Sequence, residues 1–133
     1  MLDGVRVLLV NDLSDEADLY EIGLGHYGAR VRAVPSALDA IEALAGEEFD
    51  VLVSDVDLGR NRGGYDLVRA IRGLPDTRFK EMPAVVLTGW AAEDEWARAT
   101  EAGFQLHCAK PCAPSELAET IAGLLGRAVA AFG

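Results

Sequence analysis

Four side chains of this sequence, Asp12, Asp55, Thr88 and Lys110, follow short apolar runs and are all chemically competent groups. The runs are Val5-Arg6-Val7-Leu8-Leu9-Val10 before Asn11 and Asp12, Val51-Leu52-Val53-Ser54 before Asp55, Ala84-Val85-Val86-Leu87 before Thr88, and Phe104-Gln105-Leu106-His107-Cys108 shortly before Lys110. Two carboxylates held close together repel and leave a dense negative charge. A hard, oxygen-seeking divalent cation neutralises such a charge, and Mg²⁺ is its natural occupant. A carboxylate beside that cation can attack a phosphoryl group, as nucleophilic Asp does in aspartyl-phosphate chemistry. A hydroxyl and an ammonium, here Thr88 and Lys110, would then offset the charge on the phosphoryl oxygens.

Residues this far apart in the chain meet only if a scaffold gathers them. The apolar runs, together with Arg30-Val31-Arg32-Ala33-Val34, alternate with five helix-like segments: about 16–27, 37–45, 65–72, 92–102 and 114–125. That alternation predicts a single-domain α/β fold with a doubly wound, parallel sheet. Runs one, three and four are nearly continuous hydrophobics, as strands covered on both faces should be, whereas runs two and five are more polar and suit the sheet edges. Ligands of such sheets bind beyond the carboxyl ends of the strands, and right-handed crossovers put all those ends on one side.

Punctuation supports these boundaries. Ser14 or Asp15 can cap the first helix and Ser36 the second, and Gly28, Gly46, Gly73 and Gly103 stand at helix ends. Pro114 suits the first position of the last helix, where Leu117, Ile121, Leu124 and Leu125 form one apolar stripe. The first helix carries Gly23 and Gly25, each costing about 1 kcal/mol relative to Ala. Residues 74–83, with two prolines, are expected to be a surface loop.

Composition bounds the function. The 133 residues fit one domain, with a core at about 5–125 and 126–133 as a tail or the start of a linker, so a two-domain enzyme is excluded. A hydrophobic fraction of 50% with 26% charged residues suits an ordered globular chain. The net charge of −10, with acidic residues dispersed, argues against direct binding of nucleic acid or anionic membranes. No apolar stretch approaches the about 20 residues that span a bilayer, and no signal-like segment opens the chain, so a cytoplasmic location is expected. Cys108 and Cys112 are the two cysteines, with only His26 and His107 to complete a metal set, which disfavours a structural zinc site or disulfide. Cys108 is expected to pack as a small hydrophobe.

The ordered set Val-Leu-Leu-Val-Asn-Asp, Val-Leu-Val-Ser-Asp, Ala-Val-Val-Leu-Thr-Gly and Ala-Gly-Phe-Gln-Leu-His-Cys-Ala-Lys-Pro resembles the receiver domain of two-component response regulators across about residues 5–125. The resemblance implies a flavodoxin-like (βα)5 fold with strand order 2-1-3-4-5. It implies a phosphorelay module in which Asp55 accepts phosphate from a histidine kinase or a histidine phosphotransfer protein. Such a module is not a conventional enzyme, but catalyses its own phosphorylation and dephosphorylation. It would stand alone, act as a relay intermediate, or belong with other domains of a hybrid kinase, as a monomer or a weak homodimer through its last two helices.

Carried over by resemblance, Asp12 and Asp55 would be Mg²⁺ ligands, Asn11 would hold a metal-bound water, and the backbone carbonyl of Asp57 would complete the set. Thr88 and Lys110 would bond phosphoryl oxygens, and the Lys110-Pro111 peptide bond would be cis. The first helix would be the docking face for the phosphodonor.

Several positions depart from the family pattern. Asn11 stands where an acidic residue is usual, which predicts weaker Mg²⁺ binding through the loss of one charge. The loop after Asp55 lacks the usual Met-Pro and carries Arg60 and Arg62, read as solvated charges or as attraction for an anionic phosphodonor. His107 takes the switch position usually held by Tyr or Phe, and is expected to fill the same half-buried slot or to confer pH sensitivity. Asp57 and Trp90 occupy positions that tune phosphoryl lifetime in the family, and Trp96 is expected to be a packing residue. The Asn11 substitution also leaves open a pseudo-receiver, a protein-interaction domain with little or no phosphorylation. Asp55-Val56-Asp57 looks like the Asp-x-Asp of haloacid-dehalogenase-type phosphatases, but follows the third strand rather than the first.

Overall fold

The protein's computed structural model describes residues 1–58, 63–89 and 93–127, apart from the side chains of residues 93 and 94. Five strands, β1 (Arg6–Val10), β2 (Arg30–Val34), β3 (Val51–Asp55), β4 (Ala84–Thr88) and β5 (Leu106–Ala109), form a parallel sheet in the order β2-β1-β3-β4-β5. Helices α1 (Ser14–His26), α2 (Ala37–Gly46), α3 (Gly63–Arg72), α4 (Thr77–Glu81), α5 (Glu93–Ala102) and α6 (Pro114–Leu124) connect and flank them. The order and the parallel pairing are those expected of a flavodoxin-like doubly wound fold.

Because strand side chains alternate between faces, each central strand feeds two cores. Val7 and Leu9, Val51 and Val53, and Val85 and Leu87 pack under α1 and α6 with Leu24, Leu117 and Ile121. Leu8 and Val10, Leu52, and Ala84 and Val86 pack on the other side with Leu44 of α2, Val68 and Ile71 of α3 and Ala99 of α5. The edge strands β2 and β5 are more exposed, as their polar content predicts. Leu117 and Ile121 of the expected α6 stripe are fully buried, each worth roughly 1.5–3 kcal/mol of transfer free energy.

Gly23, read from sequence as a weak point of α1, is instead a close approach. A Cβ there would stand 2.3 Å from Pro114 Cβ, so the absent side chain is what lets α1 and α6 lie together.

Local details differ from the sequence reading in four places. Leu13, not Ser14 or Asp15, is the N-cap of α1; it makes no side-chain cap, and its N–H donates instead to Asn11 Oδ1 at 2.9 Å. Ser36 does cap α2, accepting from the Asp39 N–H at 3.1 Å. Gly28 (φ 96°) and Gly103 (φ 130°) take the left-handed region after helices, but Gly46 and Gly73 do not. The expected loop at 74–83 contains α4, started by Asp76, whose carboxylate accepts from the Arg78 N–H at 3.0 Å; both prolines fall outside the helix and so do not oppose it. β5 begins at Leu106 rather than Phe104, because the chain turns at Gly103 and Phe104 is buried in the core.

Among the described residues, no helix is long and apolar enough to cross a membrane.

Candidate functional site

Strand register brings the chemistry to one rim. Val10 pairs with Ser54, Asp55 with Leu87, and Thr88 with Ala109, so Asn11, Asp12, Asp55, Thr88 and Lys110 all leave the sheet at its carboxyl edge. Asn11 N–H donates to the Val34 carbonyl, Val56 N–H to Leu87, and Lys110 N–H to Thr88 at 2.7 Å, continuing the ladder one residue beyond each strand. Asp12, Asp55, Asp57 and Lys110, with Leu13, Val56, Leu87 and Gly89, line a hollow of about 250 Å³.

Asp55 is the buried acid of this hollow, with 4% exposure, while Asp12 and Asp57 are exposed. Its backbone is fixed on several sides. Ser54 Oγ donates to the Asp55 carbonyl at 2.9 Å, and α3 starts directly against it. Gly64 makes that approach possible: its N–H donates to the Val56 carbonyl at 2.8 Å, and a Cβ there would fall 2.0 Å from the Asp55 carbonyl oxygen.

Lys110 points into the hollow, as expected. Its Nζ lies 2.6 Å from Asp55 Oδ1, and 2.5 Å from Glu16 Oε1. The Lys110-Pro111 bond is cis. The turn that follows is anchored to α1, because the Tyr20 hydroxyl donates to the Cys112 carbonyl at 2.8 Å. Burial raises the Tyr20 pKa, so this phenol stays a donor.

Glu16 is the residue of this site that sequence reasoning missed. It sits in the first turn of α1, and its Oε1 accepts from Asn11 Nδ2 at 2.9 Å as well as from Lys110. That helix starts at the same rim, where no strand-end pattern marks Glu16. Asn11, 2% exposed, is therefore tied at both ends of its amide, to Glu16 and to the Leu13 N–H.

The electrostatics follow from this crowding. Burial pushes the Asp55 carboxyl up to about 6; the Lys110 hydrogen bond and charge oppose this, and the carboxylates of Glu16 and Asp12 add to it. Burial would lower the Lys110 ammonium, but its hydrogen bonds to Asp55 and Glu16 and their charges outweigh this and the net shift is upward. The hollow thus holds more negative charge than one lysine balances.

That surplus fits a divalent cation, and the donors are the hard carboxylate oxygens such a cation prefers. Among the described residues, no three His, Cys, Asp or Glu side chains form a ready-made metal cluster. The expected ligand set does not require one, since it draws on a backbone carbonyl at Asp57 and an amide at Asn11.

The remaining predicted positions are placed as follows. Thr88 is buried at the end of β4, next to the strand that carries Asp55. His107 is exposed rather than half-buried; its ring centroid is 4.4 Å from that of Trp96 on α5. β5 is an edge strand of the sheet. Trp96 packs on the core as expected. Cys108 is buried as a small hydrophobe beside Cys112, with the two Sγ atoms 2.7 Å apart and both thiols free. Tyr65 of α3 donates to the buried Glu95 of α5 at 2.6 Å, a link between these helices that the sequence did not suggest. Arg60, Arg62 and Trp90 lie outside the described residues.

Comparison with known proteins gives a concordant result. The family model described as response regulator receiver domain matches residues 7–122. An uncharacterised 14.6 kDa protein of Leptolyngbya boryana is 34% identical over 116 residues, covering 87% of this chain and 86% of that protein. The receiver domain of a Pseudomonas aeruginosa sensor histidine kinase, PA1611, solved with magnesium coordinated in its active site cleft, is 26% identical with a TM-score of 0.81, covering 92% of this chain and 98% of that one. The signal receiver domain of a Syntrophus aciditrophicus histidine kinase is 27% identical, also with a TM-score of 0.81, covering 92% and 91%. The chain spans only part of other curated relatives: 51% of the Pseudomonas aeruginosa transcriptional regulator GltR and 8% of the Dictyostelium discoideum hybrid histidine kinase D.

Proposed function

Because this chain belongs to the response regulator receiver domain family, we propose that Asp55 is its phosphoacceptor, taking a phosphoryl group from the phosphohistidine of a histidine kinase or a histidine phosphotransfer protein in a Mg²⁺-dependent reaction that alters partner binding. The observation that carries this reading is the 2.6 Å approach of Lys110 Nζ to Asp55 Oδ1 in a hollow that Asp12 and Asp57 also line.

The step balances simply. A carboxylate oxygen of Asp55 attacks phosphorus, an O–P bond forms, and the N–P bond to the donor imidazole breaks with its electron pair returning to nitrogen. Lys110 stays beside the oxygens that gain charge, and the Thr88 hydroxyl from the adjoining strand end supplies a second partner. Bound Mg²⁺ would neutralise phosphoryl and carboxylate charge during transfer, held by Asp12, Asp55 and the Asp57 carbonyl. The magnesium reported in the related PA1611 receiver supports that assignment. Asn11, engaged with Glu16, would orient a water rather than contribute charge.

Exposed Leu13 at the rim, with exposed Leu19 and Ile22 further along α1, supports α1 as the docking surface for a donor helix bundle. Relatives that are hybrid kinases support a kinase-linked role.

Incubation with Mg²⁺ and acetyl phosphate tests the reading. The expected result is a mass gain of about 80 Da that Asp55→Asn abolishes. A gain that persists in the variant would overturn Asp55 as the acceptor. Asn11 specifically favours the pseudo-receiver as a second reading, and a wild-type chain that stays unmodified while still binding a partner would establish it instead.

A further inference from the structure

Lys110 has two carboxylate partners, and only one of them is the proposed acceptor. Glu16 Oε1 lies 2.5 Å from Lys110 Nζ and also receives the Asn11 Nδ2 hydrogen bond at 2.9 Å, so one carboxylate joins the end of β1 to the side chain that follows β5. We propose that Glu16 is the positioning residue of this site: it holds the Lys110 ammonium beside Asp55 and supplies the carboxylate that Asn11 lacks.

A lysine is a compact charge on a flexible four-carbon stem, and its place depends on what holds the ammonium. Once the Asp55 oxygens are taken up by a cation or a phosphoryl group, the 2.6 Å contact to Asp55 is no longer assured, whereas the contact to Glu16 is independent of it. With Asn11 neutral, the side chains of Asp12, Asp55 and Glu16 against Lys110 leave two net negative charges. An acidic residue at position 11 with a neutral one at 16 would leave the same. The carboxylate stands in the first turn of the helix instead of at the strand end, and the amide at position 11 hydrogen-bonds to it.

The inference rests on the receiver reading for its purpose, but its first test does not need phosphorylation or metal. The chain has two lysines, Lys80 and Lys110, and Lys80 serves as an internal reference. Competitive acetylation with limiting acetic anhydride in a chelator, read by peptide mass spectrometry, should label Lys110 roughly fivefold faster relative to Lys80 in Glu16→Gln than in the wild type, the scale of losing one partly exposed charge partner. An unchanged ratio would overturn the positioning role. Calorimetric titration with Mg²⁺ is the second arm: Glu16→Gln should bind roughly fivefold more weakly, and the double variant Asn11→Asp with Glu16→Gln should return to about the wild-type affinity. A Glu16→Gln affinity equal to wild type, or no recovery in the double variant, would overturn the charge substitution. A wild type that neither binds Mg²⁺ nor accepts phosphate would count against the receiver reading, while the labelling ratio would still decide the role of Glu16.

Discussion

The Tyr20 hydroxyl reaches across from α1 to the Cys112 carbonyl at 2.8 Å, two residues past Lys110. Tyr20 is 3% exposed, so deleting its hydroxyl strands a buried carbonyl without its donor. Tyr20→Phe should therefore lower stability by about 1–2 kcal/mol, measured by urea unfolding at constant slope. A midpoint equal to wild type would show that water replaces the phenol.

Asp55 should weaken the fold at neutral pH. Its carboxyl is pushed up to about 6 from 3.8, chiefly by burial, so between those values the native chain keeps a proton that the unfolded chain has released. Stability must then fall as pH rises through that window, and the cost is fully present above it. In chelator at about pH 7.5, Asp55→Asn should be more stable than wild type by about 1–3 kcal/mol, the gain being reduced by the partner Lys110 loses. Near pH 4 the two proteins should converge. A gain independent of pH would point to some other cause.

The glycines of the fold should separate by what surrounds them. Gly64→Ala would force a methyl into the Asp55 carbonyl and Gly23→Ala one into Pro114, so each should cost more than about 2 kcal/mol. Gly25, also inside α1, has no atom within 4 Å of a would-be Cβ, and Gly25→Ala should stabilise by about 0.5–1 kcal/mol. Thermal melts of the three variants check the ordering.

The two thiols should be inert in the native protein. Burial and the neighbouring Cys108 push the Cys112 thiol up, so it carries far less thiolate than an ordinary cysteine. Reaction with a disulfide reagent at about pH 8 should be slow in buffer and complete within minutes in denaturant. Rapid native labelling at Cys112 would show that the β5–α6 turn opens on that timescale.

The strands were legible because burial on both faces demands unbroken apolar runs, and the rim residues were legible because each follows such a run. Asp55 and Lys110 meet as their positions in that pattern imply. Glu16 was not legible from the same logic, since it belongs to a helix turn and not to a strand end. Helix α4 was obscured by two prolines that turned out to flank it. The exposure of His107 depends on the edge position of β5 and on what α5 places beside it, and neither is encoded at position 107 itself.

The sheet separates two interiors, with neighbouring side chains of one strand committed to opposite sides. It therefore works as a partition. A helix on the Trp96 side can slide or tilt without unpacking Leu24, Leu117 or Ile121 behind the wall. One side of the molecule can stay engaged with a visitor while the other changes its contour, and the rim residues, rooted in the partition itself, adjoin both.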